Sequence, residues 1–91
     1  MLRLTDRAIM VIRTLTAEPG TPKDAGLRIA HEDEAGFLGM RVAAEPTDGD
    51  QIVEAGGVRV FLEPGAAAML DGKSLDALPD ATSAAFQVCS G

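Results

Sequence analysis

The stretch from Val58 to Asp76 constrains the fold more than any other part of this chain. Apolar residues alternate along Val58–Leu62, which is the two-residue period of a strand with one buried face. Pro64 follows, and proline suits the first turn of a helix because its missing N–H would be unpaired there. Gly72 is typical of the left-handed residue just after a helix. The stretch therefore predicts a strand, a short helix and a glycine stop.

Hydrophobic periodicity predicts one longer helix and several further strands. The longer helix runs from Thr5 to about Glu18, because Thr5 is a good N-cap and apolar residues recur at helical spacing after it. Gly56-Gly57 predicts a two-residue hairpin turn, since both positions can take a positive φ. The remaining predicted strands are Gly26–His31, Phe37–Glu45, Gln51–Ala55, Leu75–Leu78 and Ala84–Cys89.

These elements predict one α+β domain over residues 1–91. The hairpin turns imply mostly antiparallel pairing, with one helix before the strands and one short helix between them. We therefore expect a bent or sandwich-like mixed sheet with both helices packed against it. A domain of 91 residues is modest in stability, so pairing with a partner or a second copy would help.

Charge and cysteine content exclude several classes of function. The net charge of −6 argues against nucleic acid and against anionic membrane surfaces, because both require a basic face. Cys89 is the single cysteine, so no intramolecular disulfide can form. The sequence shows neither a signal peptide nor a membrane-length apolar run, and we expect a cytoplasmic protein.

A series of short segments extends over nearly the whole chain. In order, they are the helix from Thr5, Gly26-Leu27-Arg28-Ile29, Gly49-Asp50, Gly57-Val58-Arg59-Val60, Pro64, Leu70-Asp71-Gly72 and Leu75-Asp76. This series resembles the HesB-like family, also called the A-type iron–sulfur carriers or IscA-like proteins, in which the same pieces occur in the same order. The resemblance implies a small α+β fold, often dimeric or larger. It also implies a protein that binds iron or an iron–sulfur cluster through three cysteines and passes it to apoproteins.

The sequence departs from this family where the ligands are expected. The loop that should carry the first cysteine reads HEDEAGF at residues 31–37. Cys89 precedes the place where the family's Cys-x-Cys pair would come, so the family's ligand role is not transferred to it. Thiolates hold iron–sulfur clusters by soft ligation. We therefore expect no cofactor, although the family's cofactor is iron or an iron–sulfur cluster.

His31 and the acidic residues after it are the densest set of possible metal ligands. An imidazole with carboxylates suits iron(II), zinc or manganese, and we take His31, Glu32 and Glu34 as the candidate metal site. Consecutive side chains alternate in direction at a strand end, so His31, Glu32, Asp33 and Glu34 cannot all converge on one ion. The alternative is a solvated acidic loop with a surface histidine.

Cys89 is a further metal candidate, through a Cys₂His₂ set formed with His31 across a dimer. Against this, His31 is in phase with the apolar residues of its strand, whereas Cys89 is out of phase with those of its own. An incidental thiol is the alternative. Asp71 and Asp76 flank the short helix and form a possible carboxylate pair, for which capping and turn roles are the alternative.

Three functions remain open, and none of them is enzymatic. With one histidine, no Gly-x-Ser-x-Gly and no phosphate-binding loop, the chain is expected not to be an enzyme. The leading hypothesis is an accessory or interaction protein that meets iron–sulfur assembly or target proteins. The second is a metal-binding carrier that uses His31. The third is a structural homodimer held by exposed apolar residues such as Phe37 and Phe61, unless a second layer of the same chain covers Phe61.

Overall fold

Two β-sheets and two helices form the part of the chain that the structure, a computed structural model, describes: residues 1–31, 38–77 and 86–90. The elements in chain order are β1 (Arg3–Leu4), α1 (Asp6–Thr16), β2 (Gly26–His31), β3 (Leu38–Ala43), β4 (Gln51–Ala55), β5 (Val58–Leu62), α2 (Pro64–Leu70), β6 (Lys73–Ala77) and β7 (Phe86–Ser90). The four-stranded sheet has the order β3-β2-β5-β4, and the three-stranded sheet has the order β1-β6-β7.

The predicted α+β class and mostly antiparallel pairing are confirmed. β2 pairs with β3, β4 with β5, and β6 with β7 in antiparallel fashion, whereas β2 pairs with β5 and β1 with β6 in parallel. The strands divide into two sheets. Neither described helix has the length and apolar character that a membrane span requires.

Local signals placed most element boundaries correctly. Thr5 caps α1, and its side-chain oxygen accepts from the backbone N–H of Ala8 at 3.1 Å. The Gly56-Gly57 turn joins β4 to β5 with φ of 57° and 83°, as the double glycine predicted. Pro64 begins α2, and Gly72 follows the helix with φ of 75°. These features depend on residues that are neighbours in sequence.

The three-stranded sheet is where the sequence-based boundaries were wrong. β1 was missed, because two residues are too few to show any periodicity. Arg3 pairs with Ser74, and the backbone N–H of Thr5 donates to the carbonyl oxygen of Leu75 at 3.0 Å. This pairing lets β6 begin at Lys73, two residues before the predicted start at Leu75.

The main core lies against one face of the four-stranded sheet. Alternate residues of its central strands, Leu27 and Ile29 of β2 with Val60 and Leu62 of β5, are in register and buried. Both helices and β6 cover this face with the buried side chains of Ile12, Ala66, Leu70 and Leu75. The buried cluster on this face is therefore aliphatic, as the scarcity of aromatic residues predicts.

The opposite face of this sheet is crossed by residues 44–50, which we call the crossover strap. β3 and β4 lie at opposite edges of the sheet, and the strap connects them. It starts beside Gly26, at the beginning of β2, and ends beside Leu62, at the end of β5, so it must run diagonally. Arg28 belongs to this outer face, and it binds Asp50 at the end of the strap.

Arg28 and Asp50 form a two-point ion pair that fixes the crossover strap. The Arg28 Nε donates to Asp50 Oδ2 at 3.0 Å, and Nη2 donates to Oδ1 at 3.1 Å. The Thr47 backbone N–H donates to the same carboxylate at 2.9 Å. The hydrogen bonds from Arg28 hold the pKa of Asp50 below its usual range, and they outweigh the opposing effect of burial.

Phe61 is fully buried on the outer face of the sheet, which corrects the homodimer hypothesis at that residue. It stands in register between Ile52 and Arg28, out of phase with the main core, as predicted. Its exposed fraction is 0%, because the same chain covers it. Phe61 is therefore a core residue of this chain and is not available as a dimer contact. Phe37, the other residue of that hypothesis, lies outside the described residues.

Candidate functional site

The end of β2 meets the beginning of α2, and His31 lies at this junction. Of the predicted metal ligands His31, Glu32 and Glu34, it is the one that the structure describes. His31 is the last residue of β2, and its side chain is exposed. Its backbone N–H donates to Oε1 of Glu63 at 3.3 Å, and the Glu63 backbone N–H donates to the carbonyl oxygen of Ile29 at 3.0 Å. The parallel pairing of β2 with β5 sets this geometry, because Ile29 and Leu62 are in register.

Glu63 is the N-cap of α2 and a member of the junction that sequence reasoning did not single out. Its carboxylate accepts from the backbone N–H groups of Gly65 and Ala66, each at 3.0 Å. The hydrogen bonds from these two N–H groups and from the His31 N–H lower the pKa of Glu63, and they outweigh the opposing effect of burial. The signal available in the sequence was an acidic residue directly before a helix-starting proline.

The structure describes only His31 from the predicted metal site of His31, Glu32 and Glu34. Glu32, Asp33 and Glu34 lie outside the described residues. Within residues 1–31, 38–77 and 86–90, no group of three histidine, cysteine, aspartate or glutamate side chains could hold a metal ion. The structure adds Glu63 beside His31, but its carboxylate already accepts three backbone hydrogen bonds. The metal site therefore stays a prediction.

Cys89 lies in the other sheet from His31. It is a partly exposed residue of β7, and it pairs with Ser74 of β6. Val88 pairs with the buried Leu75, so Cys89 is on the opposite face of its sheet, as its phase predicted. The structure therefore does not assemble Cys89 and His31 on neighbouring strands, and a shared site across a dimer remains untested.

Asp71 and Asp76 have separate structural partners. Asp71 pairs with the amino terminus of Met1 at the surface. Asp76 accepts from the Thr5 hydroxyl at 2.7 Å and from the Ala77 backbone N–H at 2.9 Å, which ties β6 to the start of α1. These contacts lower the pKa of both carboxyl groups. Capping and tethering account for both residues without a catalytic pair.

Comparison by sequence identifies one related protein with high coverage. The chain is 34% identical over 90 residues to an uncharacterized protein of Sinorhizobium fredii, y4vC, and the match covers 94% of this chain and 83% of y4vC. No family model matches the chain.

Comparison by structure finds proteins that share the fold over nearly all of this chain and most of their own length. Escherichia coli SufA, which is involved in the biosynthesis of iron–sulfur clusters, has a TM-score of 0.79 and 24% identity, over 98% of this chain and 84% of SufA. IscA, solved with a [2Fe-2S] cluster, has a TM-score of 0.69 and 24% identity, over 99% and 85%. A protein from Aquifex aeolicus has a TM-score of 0.78 and 25% identity, over 99% and 91%.

Proposed function

Because this chain belongs to one family with y4vC and has the HesB-like fold of SufA and IscA, we propose that it is a non-catalytic accessory protein of iron–sulfur cluster assembly. It would act by binding protein partners that recognise the HesB-like fold. It would do so without the three cysteine ligands that the family uses. We expect it to work in the cytoplasm, alone or as a homodimer.

One observation carries this proposal: an almost complete HesB-like scaffold is combined with a single cysteine. The structural similarity to SufA covers 98% of this chain, whereas its 91 residues include a single cysteine, Cys89. These 91 residues therefore supply one thiolate, and iron–sulfur clusters are held by several. The segment in which the family has its first cysteine has histidine and carboxylates instead, and these are harder ligands that favour single metal ions.

Cluster reconstitution tests the absence of the ligands. Purified protein and the Cys89→Ser variant are incubated anaerobically with iron and sulfide, with IscA as the positive control. We expect neither form to retain stoichiometric iron and sulfide after desalting, because Cys89 alone cannot replace a three-cysteine set. A stable charge-transfer band in wild type that disappears in the Cys89→Ser variant would refute the proposal, since it would show that Cys89 is a cluster ligand.

Partner binding tests the accessory role separately. The chain is immobilised, and purified cluster-assembly proteins and apoprotein targets of the same cell are passed over it one at a time. We expect saturable binding to at least one of them. We also expect SufA to compete with this chain for the same surface of that partner. If no assembly or target protein binds, the accessory role is wrong, whatever the reconstitution shows.

A metal-binding carrier is the second candidate, and the contact between His31 and Glu63 favours it. The exposed residue His31 ends β2, and its backbone N–H binds the Glu63 carboxylate, whose pKa is lowered. Metal ion would be the cargo of such a carrier. Titration of wild type and His31→Ala with iron(II) and zinc(II) tests it, with loss of binding expected in the variant. Equal and weak binding by both forms would exclude His31 as a ligand.

A further inference from the structure

A hollow of about 210 Å³ lies on the outer face of the four-stranded sheet, and neither His31 nor Cys89 lines it. Its lining residues come from the adjacent strands β2 and β3, and they are Arg28, Ala30, Gly39, Met40 and Arg41. Ligand pockets for whole small molecules usually measure about 300–1,000 Å³. This hollow is therefore of a size for one functional group and is too small for a large cofactor.

Two arginines face each other across this hollow. Arg28 of β2 and Arg41 of β3 are directly opposite in the antiparallel register, and Ala30 and Gly39 are the next pair on the same face. The two small residues leave open space beside the guanidinium groups. Asp50 balances the charge of Arg28, so the positive charge available to an anion in this space is that of Arg41. Such an anion would accept hydrogen bonds from Arg41 and from the Arg28 donors that Asp50 does not use.

The ion pair with Asp50 holds the Arg28 guanidinium in a fixed orientation. Asp50 accepts from Nε and Nη2, which are two of the five N–H donors of a guanidinium. Only 14% of the Arg28 side chain and 1% of the Asp50 side chain are exposed. Since a guanidinium is a planar and rigid fork, fixing one edge also fixes the direction of the donors that remain. This preorganisation lowers the entropic cost of binding a further acceptor.

We propose that this hollow binds a single oxyanion group, a carboxylate or a phosphate, between Arg28 and Arg41. Guanidinium groups match the geometry of both anions and form charge-assisted hydrogen bonds with them. The chain as a whole carries a net charge of −6, so general attraction cannot account for an anion that binds here. Binding therefore requires the local arrangement of the two arginines.

Amide chemical-shift titration of the intact chain tests the proposal. Inorganic phosphate and acetate are titrated separately at pH 7 and constant ionic strength. We expect saturable shifts of the Ala30, Gly39 and Met40 amides with at least one of the two anions. Saturation by phosphate alone assigns a phosphate group, and saturation by acetate alone assigns a carboxylate. No saturable shift of these amides with either anion would overturn the proposal.

Matched variants distinguish the hollow from a general effect of charge. Arg41→Gln is expected to weaken binding about tenfold or more, the range for loss of a charge-assisted hydrogen bond. Arg3→Gln removes the same charge from an exposed residue in the other sheet, and it should leave the affinity unchanged. Ala30→Val keeps both arginines but fills the hollow, so it should also abolish binding. Equal affinity in wild type and Arg41→Gln, or equal losses in Arg41→Gln and Arg3→Gln, would refute the site.

Discussion

Replacement of Asp50 by asparagine tests how strongly the crossover strap is held to the sheet. Asparagine has the same shape and keeps an oxygen that can accept the Thr47 N–H, so the substitution removes mainly the charge. The Arg28 side chain, which is only 14% exposed, then loses the carboxylate that binds it at two points.

The expected loss of stability lies between the values for exposed and buried ion pairs. Exposed pairs contribute at most about 1 kcal/mol, whereas removing one partner of a fully buried pair costs about 3–5 kcal/mol. Asp50 is 1% exposed and Arg28 is 14% exposed. We therefore expect the free energy of unfolding to fall by about 2–3 kcal/mol. For a domain of this size that corresponds to a fall in Tm of roughly 10–20 °C.

Thermal and urea unfolding, followed by circular dichroism at pH 7, measure this loss. Glu54→Gln is the matched control, because Glu54 pairs with Arg59 at 3.1 Å on the same sheet but both side chains are well exposed. Its free energy of unfolding should change by less than about 1 kcal/mol. The double variant Arg28→Met/Asp50→Leu should recover most of the stability, since apolar residues often replace a buried pair without loss.

The pH dependence gives the same prediction an independent check. Arg28 lowers the pKa of Asp50 in the folded chain, so the pair stabilises the fold fully above the ordinary aspartate pKa of about 3.9. That contribution is lost as the pH falls through the lowered folded-state pKa. The difference between wild type and Asp50→Asn should therefore shrink below about pH 4. An Asp50→Asn variant as stable as Glu54→Gln at pH 7 would refute the role of this ion pair.

Four further substitutions examine separate contacts. Glu63→Ala should lower Tm at pH 7, because three backbone N–H groups lose their acceptor. Since the pKa of Glu63 is lowered in the folded chain, the difference in Tm between the variant and wild type should fade below about pH 4. A difference that stays constant with pH would contradict this cause. Gly26→Ala should cost about 1–3 kcal/mol in urea unfolding, because its Cβ would lie 2.6 Å from the Arg59 carbonyl oxygen. Gly57→Ala, with φ of 83° and open space around it, should cost about 1–2 kcal/mol through backbone strain alone, and equal stability to wild type would be inconsistent with that turn. Phe61→Ser should lower the free energy of unfolding by about 3 kcal/mol or more, because Phe61 is fully buried. Its sedimentation coefficient under native conditions should equal that of wild type. A changed oligomeric state at unchanged stability would restore the interface hypothesis.

The candidate site could be predicted only in part. His31 was identified as a possible ligand from its acidic neighbours, and the structure describes it as exposed at the end of β2. Glu63 was not identified, because 32 positions of sequence separate it from His31 and only the parallel pairing of β2 with β5 brings them into contact. The pairing of Arg28 with Arg41 likewise depends on the register of a hairpin whose connecting loop had no clear turn signal.

What the sequence determined by itself is local. Thr5, Gly56-Gly57, Pro64 and Gly72 set the caps and turns, because the hydrogen bonds and φ angles involved extend over only a few residues. The order of these segments, with the apolar alternation between them, was enough to predict the α+β class and the resemblance to the HesB-like family, which SufA and IscA confirm at the level of fold.

Tertiary structure decided everything that depends on which distant strands become neighbours. Alternation showed that Phe61 faces away from the main core, but not that other parts of the same chain bury it completely. Pairing of β1 with β6 adds a strand too short to have a pattern of its own. In each case the stabilising contact joins residues far apart in sequence, so its existence follows from the topology of the sheets and not from the residues on either side.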